Sequence, residues 1–306
     1  MKILITGATG LVGKKLVKLL QKNNVDVNYL TTDKNKIENR DGFHGFFWNP
    51  SKGIIDERCI QNVDIIINLA GASISKRWTA AYKTEIIESR IFASNLLHKL
   101  LRDQPHQVRH IISASGTAIY PNKSGKRYNE SEAVSDGSFL ADLVVKWEES
   151  VDRFENLGIK TCKLRTGIVL AAEGGALAEM LKPIQWGMGA TFGNGKQMMS
   201  WIHVKDLAAM YYFAAKNVWE GAYNAVAPDS VSNNDLTKKI AKSTNKPLWL
   251  PGIPKFMMKL ILGDMHELLF SDKEISSEKA ISAGFQFRYG TIDLALKDLL
   301  ETKNSA

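Results

Sequence analysis

Lys2-Ile3-Leu4-Ile5-Thr6-Gly7-Ala8-Thr9-Gly10-Leu11-Val12-Gly13 is the stretch that decides the fold. A short apolar run ends in a glycine turn, and Leu11–Asn23 follows with Leu11, Leu16, Leu19 and Leu20 at helical spacing. A strand that leaves through three evenly spaced glycines and opens a helix has the form of a phosphate-binding βαβ turn. Gly7 permits the tight turn, Gly10 lets backbone approach a pyrophosphate, and Gly13 lets the helix pack closely on the strand. The free amides at Leu11 and Val12, with the helix dipole, would hold phosphate charge. An ordinary turn into a helix is the competing reading, and strand, glycine spacing and helix together outweigh it.

Working outward, strand and helix signals alternate. Strands are expected at Val25–Thr31, Phe43–Trp48, Val63–Leu69, Val108–Ser113 and Ile159–Leu170, with helices over Thr79–Arg102 and Phe139–Leu157. That alternation predicts an α/β fold: a Rossmann-type doubly wound parallel sheet, occupying residues 1–170. After residue 171 the pattern changes to a glycine-rich stretch, a helix over Val204–Ala215, a strand near 221–227 returning to the sheet, and helical stretches to residue 302. Residues 171–306 are therefore expected to form mainly a smaller C-terminal lobe that closes a substrate cleft over the sheet's carboxyl edge.

Composition narrows the class. The chain has 306 residues, 44% hydrophobic and 24% charged, which excludes wholesale disorder. No apolar stretch approaches the roughly 20 residues of a membrane span. The N-terminus enters its first strand at once, leaving no room for a signal peptide. Cys59 and Cys162 alone cannot build a disulfide framework or a zinc site, so a cytoplasmic location with no membrane partner is expected. The net charge is +8, with 21 basic and 16 acidic residues in 1–150 and 19 and 16 in 151–306. A surplus so spread does not make the clustered footprint of a nucleic-acid binder. It fits solubility and a mild attraction for small anions.

Gly-x-x-Gly-x-x-Gly behind Thr6, with Asn68-Leu69-Ala70-Gly71 after the fourth strand, resembles the extended short-chain dehydrogenase/reductase superfamily. Arg77-Trp78-Thr79, Ser89-Arg90-Ile91, Ser113-Ala114-Ser115, Gly174-Gly175-Ala176-Leu177, Ser200-Trp201-Ile202-His203-Val204 and Gly284-Phe285-Gln286-Phe287 narrow the likeness. They resemble the atypical "epimerase family" branch of the NAD-dependent epimerase/dehydratase group, which has its own C-terminal domain. The resemblance covers essentially the whole chain. It implies a nicotinamide cofactor held by Gly7, Thr9, Gly10, Leu11, Val12, Gly13, Thr31, Thr32, Leu69, Ala70, Gly71 and Arg90. NAD-preferring relatives carry an acid where this chain has Thr31, and the branch usually carries arginine where this chain has Thr32. Lys34 and Lys36 could supply positive charge against Asp33, so NADP is expected, with NAD second.

The superfamily's Tyr-x-x-x-Lys pair is the departure. The match at Tyr212–Lys216 falls on the wrong helix, and placing Glu148 on the family's helix glutamate leaves Leu140 and Val144 at the tyrosine and lysine positions. Neither can transfer a proton. Ser115 or Thr117, after the fifth strand, would then orient a substrate carbonyl or hydroxyl, with Tyr120 a further donor. Arg77, Lys83, Arg165, Gln197 and Trp201 are expected to bind substrate, arginine and lysine suiting phosphate or carboxylate. His203 could be a general acid, although a structural role is the stronger expectation, and His106 and His110 do not make a metal pair. Two functions stand: an oxidoreductase or nucleotide-sugar epimerase on a small polar or anionic substrate, or a non-catalytic cofactor sensor. A homodimer through the Thr79–Arg102 and Phe139–Leu157 helices is a further expectation.

Overall fold

The structure, a computed structural model, describes residues 1–301; the end of the expected helical stretch at residue 302 lies outside them. In chain order the elements are β1 (Lys2–Thr6), α1 (Leu11–Lys22), β2 (Asp26–Thr31), β3 (Asn39–Arg40), β4 (Phe43–Asn49), β5 (Ile54–Ile55), β6 (Ile65–Asn68), α2 (Ala80–Asp103) and β7 (His110–Gly116). Then come β8 (Arg127–Tyr128), α3 (Phe139–Asp152), β9 (Lys160–Thr166), β10 (Ile168–Ala171), α4 (Gly175–Gln185), β11 (Met198–Met199), β12 (Trp201–His203), α5 (Val204–Asn217) and β13 (Gly221–Ala225). The remainder is β14 (Val231–Ser232), α6 (Asn233–Ser243), α7 (Lys255–Leu262), β15 (Glu274–Ile275), α8 (Glu278–Ser282) and α9 (Ile292–Glu301).

Seven parallel strands lie in the order β13-β9-β7-β6-β1-β2-β4, with β3 and β5 antiparallel on β4. The chain winds outward from β1 to β4, then returns to β6 on the other side of β1. The order reverses between β1 and β6, where open α/β sheets bind ligands. The central strands β1 and β6 carry near-continuous apolar runs, Ile3–Ile5 and Ile65–Ile67, because both faces are covered. Ile3 and Ile5 face Leu16, Leu20, Leu207 and Tyr211 of α1 and α5. Leu4, Ile66 and Ile111 face Leu97 and Leu101 of α2. A separate core joins Leu177, Leu181, Trp201, Leu236, Ile240 and Leu296.

Two strand expectations change. The Ile159–Leu170 strand is two, because the chain turns out of the main sheet at Gly167. A methyl there would lie 2.5 Å from the Ser200 carbonyl oxygen, so only glycine lets β10 leave and pair with β12. The fifth strand runs on past Ser113 to Gly116, where pairing with Arg165 and Thr166 of β9 carries it.

Candidate functional site

The crevice at the carboxyl ends of β1 and β6 is built on Thr6. Its buried hydroxyl donates to Asn68 Oδ1 at 2.7 Å and accepts the Leu69 and Ala70 amides, each at 3.0 Å. Asn68 in turn donates to Ser94 on α2 at 3.3 Å. One side chain thus ties the glycine turn to the Leu69-Ala70-Gly71 loop across the switch point.

Gly7 has φ +70°, a conformation side chains other than glycine's rarely adopt. A methyl on Gly13 would sit 2.1 Å from the Gly7 carbonyl oxygen. Thr9 and Gly10 are exposed, with Leu11 and Val12 half-buried. Helix α1 starts at Gly10 with no side chain on its first amides and no acid in its first turn. Amides left uncapped by the helix's own side chains, with no acid in its first turn, are what a pyrophosphate needs. Gly174 and Gly175 pack against Leu11, and Lys15 pairs with Glu173 at 2.6 Å, so the approach to α4 borders the same turn.

Arg90 lies beneath the other wall. Its guanidinium carbon would be 2.9 Å from a methyl on Gly71 and stands 4.9 Å from the Trp147 ring centre. One Nη donates to the Ile86 carbonyl, while Nε is buried without a partner. Burial pulls its pKa down to about 10. A buried cation that no carboxylate balances is costly, and it fits a site completed by an anionic ligand. At the end of β2, the buried Thr31 hydroxyl bonds the Asp33 backbone and Thr32 is exposed. Lys34 lies over Phe47, and Lys36 is 3.4 Å from Asp33. No acid stands at the strand end itself. Glycine cradle, uncapped helix and unpaired arginine together fit a dinucleotide.

Beside the crevice, Ser115 donates to Glu148 Oε1 at 2.6 Å. Arg165 grips both Glu148 oxygens at 2.8 Å and also donates to Tyr120 Oη and the Glu130 carbonyl. Burial alone would lower the Arg165 pKa, but the hydrogen bonds and charge of Glu148 outweigh it and hold it above its ordinary value. Tyr120 donates to Asn224 at 2.6 Å. The Ser115 proton is therefore committed, and its oxygen can only accept. Thr117, half-buried just beyond the strand, has a hydroxyl held only by a 3.5 Å contact to the Thr166 carbonyl. On α3, Val144 Cγ2 lies 3.4 Å from where a Gly116 methyl would be, and Leu140 joins the cluster of Trp78, Ile86 and Leu143.

Several expected substrate contacts do not face open space. Arg165 is engaged as above, and Trp201 is fully buried. Gln197 is buried, its amide bridging the Phe192 and Leu269 carbonyls at 3.1 Å each. All three side chains are buried, and the polar ones are engaged by groups up to 72 residues away. Arg77 is exposed beside Gly263, and Lys83 pairs with Asp264 at 2.6 Å, so the 263–269 turn covers the start of α2. His203 is fully buried. It caps α5 by accepting the Lys205 amide at 3.0 Å, and burial, partly offset by Asp298, drives its pKa down to about 4. Tyr212 packs in the main core with Lys216 exposed. His106 accepts the Val108 amide and His110 bonds the Trp219 carbonyl. Sequence reasoning missed the role of Glu148 as the partner of Ser115; both are polar residues facing a covered sheet, the one signal available.

Among the described residues no helix is long and apolar enough to cross a membrane, and no group of three or more His, Cys, Asp or Glu could hold a metal. Residues 3–226 match the NAD dependent epimerase/dehydratase family, and residues 253–299 match a domain of unknown function, DUF1731. Epimerase family protein YfhF of Bacillus subtilis is 34% identical over 306 residues, covering 100% of both chains. The crystal structure of human epimerase family protein SDR39U1 with NADPH is 26% identical, with a TM-score of 0.86 over 98% of this chain and 99% of that one. The Thermus thermophilus UDP-glucose 4-epimerase complexed with NAD is 18% identical, has a TM-score of 0.77 over the full length of both chains, and shares the fold. Switch-point crevice, glycine turn and full-length likeness agree: the chain belongs to the NAD dependent epimerase/dehydratase family.

Proposed function

We propose that the chain binds NADP(H) across the carboxyl ends of β1, β6 and β7. There it serves epimerase- or oxidoreductase-type chemistry on a small, polar or anionic, nucleotide-sugar-like substrate. The observation that carries this reading is the Thr6 clamp, which sets the glycine turn and the Leu69-Ala70-Gly71 loop on either side of an uncapped helix. NADP is preferred because no carboxylate ends β2 to repel a 2′-phosphate, and because the human relative is described with NADPH. When bound, the nicotinamide supplies or accepts a hydride. The chain's own part is to hold the dinucleotide and orient the substrate oxygen. Thr117 donates to that oxygen, whereas Ser115, its proton fixed on Glu148, accepts from a substrate hydroxyl. Arg77 remains open for an anionic substituent, and Lys83 becomes so when it leaves Asp264.

Leu140 and Val144 on α3 favour a second reading, a cofactor sensor without turnover, since neither side chain can move a proton. Fluorescence titration with NADPH and NADH tests the first claim. Binding of NADPH well below about 1 mM, and tighter than NADH, is expected; no binding of either at that level ends both readings. Hydride exchange with a panel of nucleotide sugars, aldehydes and ketones then separates enzyme from sensor. In an active enzyme Thr117→Val lowers turnover without weakening NADPH binding.

A further inference from the structure

The most exposed large apolar side chains gather on one edge of the C-terminal segments. Trp186 is 80% exposed, Trp249 79% and Leu260 75%. These residues are neighbours through the backbone that carries them. Ile253 donates to the Thr191 carbonyl and Gly193 to the Ile253 carbonyl, both at 2.8 Å, and Leu248 lies where a Gly189 methyl would be, within 2.7 Å. The turn after α4 and the segment leading into α7 therefore run side by side. On α7, Phe256, Met257, Leu260 and Ile261 fall within an arc of about 140° at 100° per residue. All four are exposed, and Met258 is the helix's one buried residue.

The charge between the end of α6 and the end of α7 is positive. Residues 240–262 hold Lys242, Lys246, Lys255 and Lys259, all exposed, and no Asp or Glu. The next acid, Asp264, is paired with Lys83. A two-fold contact between copies would bring these four lysines together, with only Asp264 and Glu267 beyond the end of α7 as nearby acids in sequence to receive them. Protruding tryptophans, an apolar helical arc lying outside the fold and flanking lysines are the pattern of an interfacial helix. Long lysine stems can let the arc sink while the ammonium groups stay at the headgroups. The absence of a spanning helix among the described residues does not bear on such docking.

We propose that this edge docks on the surface of an anionic lipid bilayer, with Trp186, Trp249 and the α7 arc entering the headgroup–acyl boundary and the lysines meeting lipid phosphates. The test is co-sedimentation of the full chain with vesicles of phosphatidylcholine alone and of phosphatidylcholine with phosphatidylglycerol in equal parts. Binding to the anionic vesicles, weakened by high salt, is expected. Trp249→Ser with Leu260→Ser should weaken partitioning about tenfold or more. Lys255→Gln with Lys259→Gln should weaken it about fivefold per lysine. Each position is exposed, and unchanged thermal melting verifies that the variants fold. Anionic vesicles left unbound at micromolar protein, or bound equally by wild type and both variants, overturn the proposal. So does a dimer, measured by light scattering, that dissociates in the Trp249→Ser/Leu260→Ser variant while vesicles stay unbound. Retention on an immobilised acidic peptide without vesicle binding would likewise overturn it in favour of a protein partner.

Discussion

Replacing Thr6 with valine isolates the clamp. Valine keeps the β-branched shape and removes only the hydroxyl, which has three partners within the closed fold: Asn68 Oδ1 at 2.7 Å and the Leu69 and Ala70 amides at 3.0 Å. Thr6 and Asn68 are both fully buried, whereas Ala70 is half-buried. The Leu69 amide keeps a 3.3 Å contact to the Thr6 carbonyl, but the Asn68 oxygen and the Ala70 amide lose the partners described here. At about 1–3 kcal/mol per unsatisfied buried group, the loss should come to about 3 kcal/mol. Urea unfolding reads this as a lower midpoint at unchanged slope. NADPH titration should show affinity falling about tenfold or more, because the Leu69-Ala70-Gly71 wall is no longer held to the glycine turn. Thr6→Ser retains the hydroxyl, loses one methyl, and should cost about 1 kcal/mol with binding kept. If Thr6→Val loses less than about 1 kcal/mol and binds NADPH like wild type, the clamp does not organise the crevice.

Gly13→Ala places a methyl 2.1 Å from the Gly7 carbonyl oxygen, so α1 must shift; NADPH affinity should fall more than tenfold, and an unaltered titration would count against the cradle. Glu148→Gln leaves Arg165 charged and buried against a neutral amide, with an expected loss of about 3 kcal/mol in thermal unfolding, and an unchanged melting temperature would refute the pairing. His203 titrates near 6.5 when unfolded and is pushed down to about 4 by burial. Between those values the unfolded state binds the extra proton, so stability falls as pH drops from about 6.5 to 4, by about 3 kcal/mol in all. His203→Asn keeps a capping oxygen and should flatten that part of the stability profile; a profile identical to wild type would remove His203 as its cause.

The parallel sheet and the crevice could be read from sequence because their causes are local. Gly7, Gly10 and Gly13 are placed by backbone geometry within a dozen residues. Ile3, Leu4 and Ile5 are apolar in succession because a doubly covered strand has no wet face. The positions that misled are those fixed at long range. Arg165 was expected at the substrate because a guanidinium near the sixth strand suits an anionic group, yet Glu148 and Tyr120 hold it inside. Lys83 was expected to bind substrate, and the carboxylate it meets, Asp264, lies 181 residues away. Gly167 reads as an ordinary strand glycine until Ser200 and Val226 are seen to occupy the space of its side chain. Spacing shows which face a residue occupies, and nothing about the partner that arrives from another element.

The same distinction decides what the surplus of positive charge means. Lys15, Lys83 and Arg165 are each neutralised, by Glu173, Asp264 and Glu148. Arg90 meets no carboxylate among its interactions, and of the lysines of residues 240–262 only Lys259 lies near one, Asp264, which Lys83 already pairs. The two cases differ in cost. A solvated lysine without a partner costs little, so Lys255 and Lys259 carry weight only through the apolar arc beside them. Arg90 is nine-tenths buried, and burial already draws its pKa down to about 10. Holding that charge between Gly71 and Trp147 opposes folding unless an anion compensates it in the working state. Arg90 therefore supports the proposed anion site by an argument independent of the glycine turn, and the two arguments meet at the Leu69-Ala70-Gly71 loop.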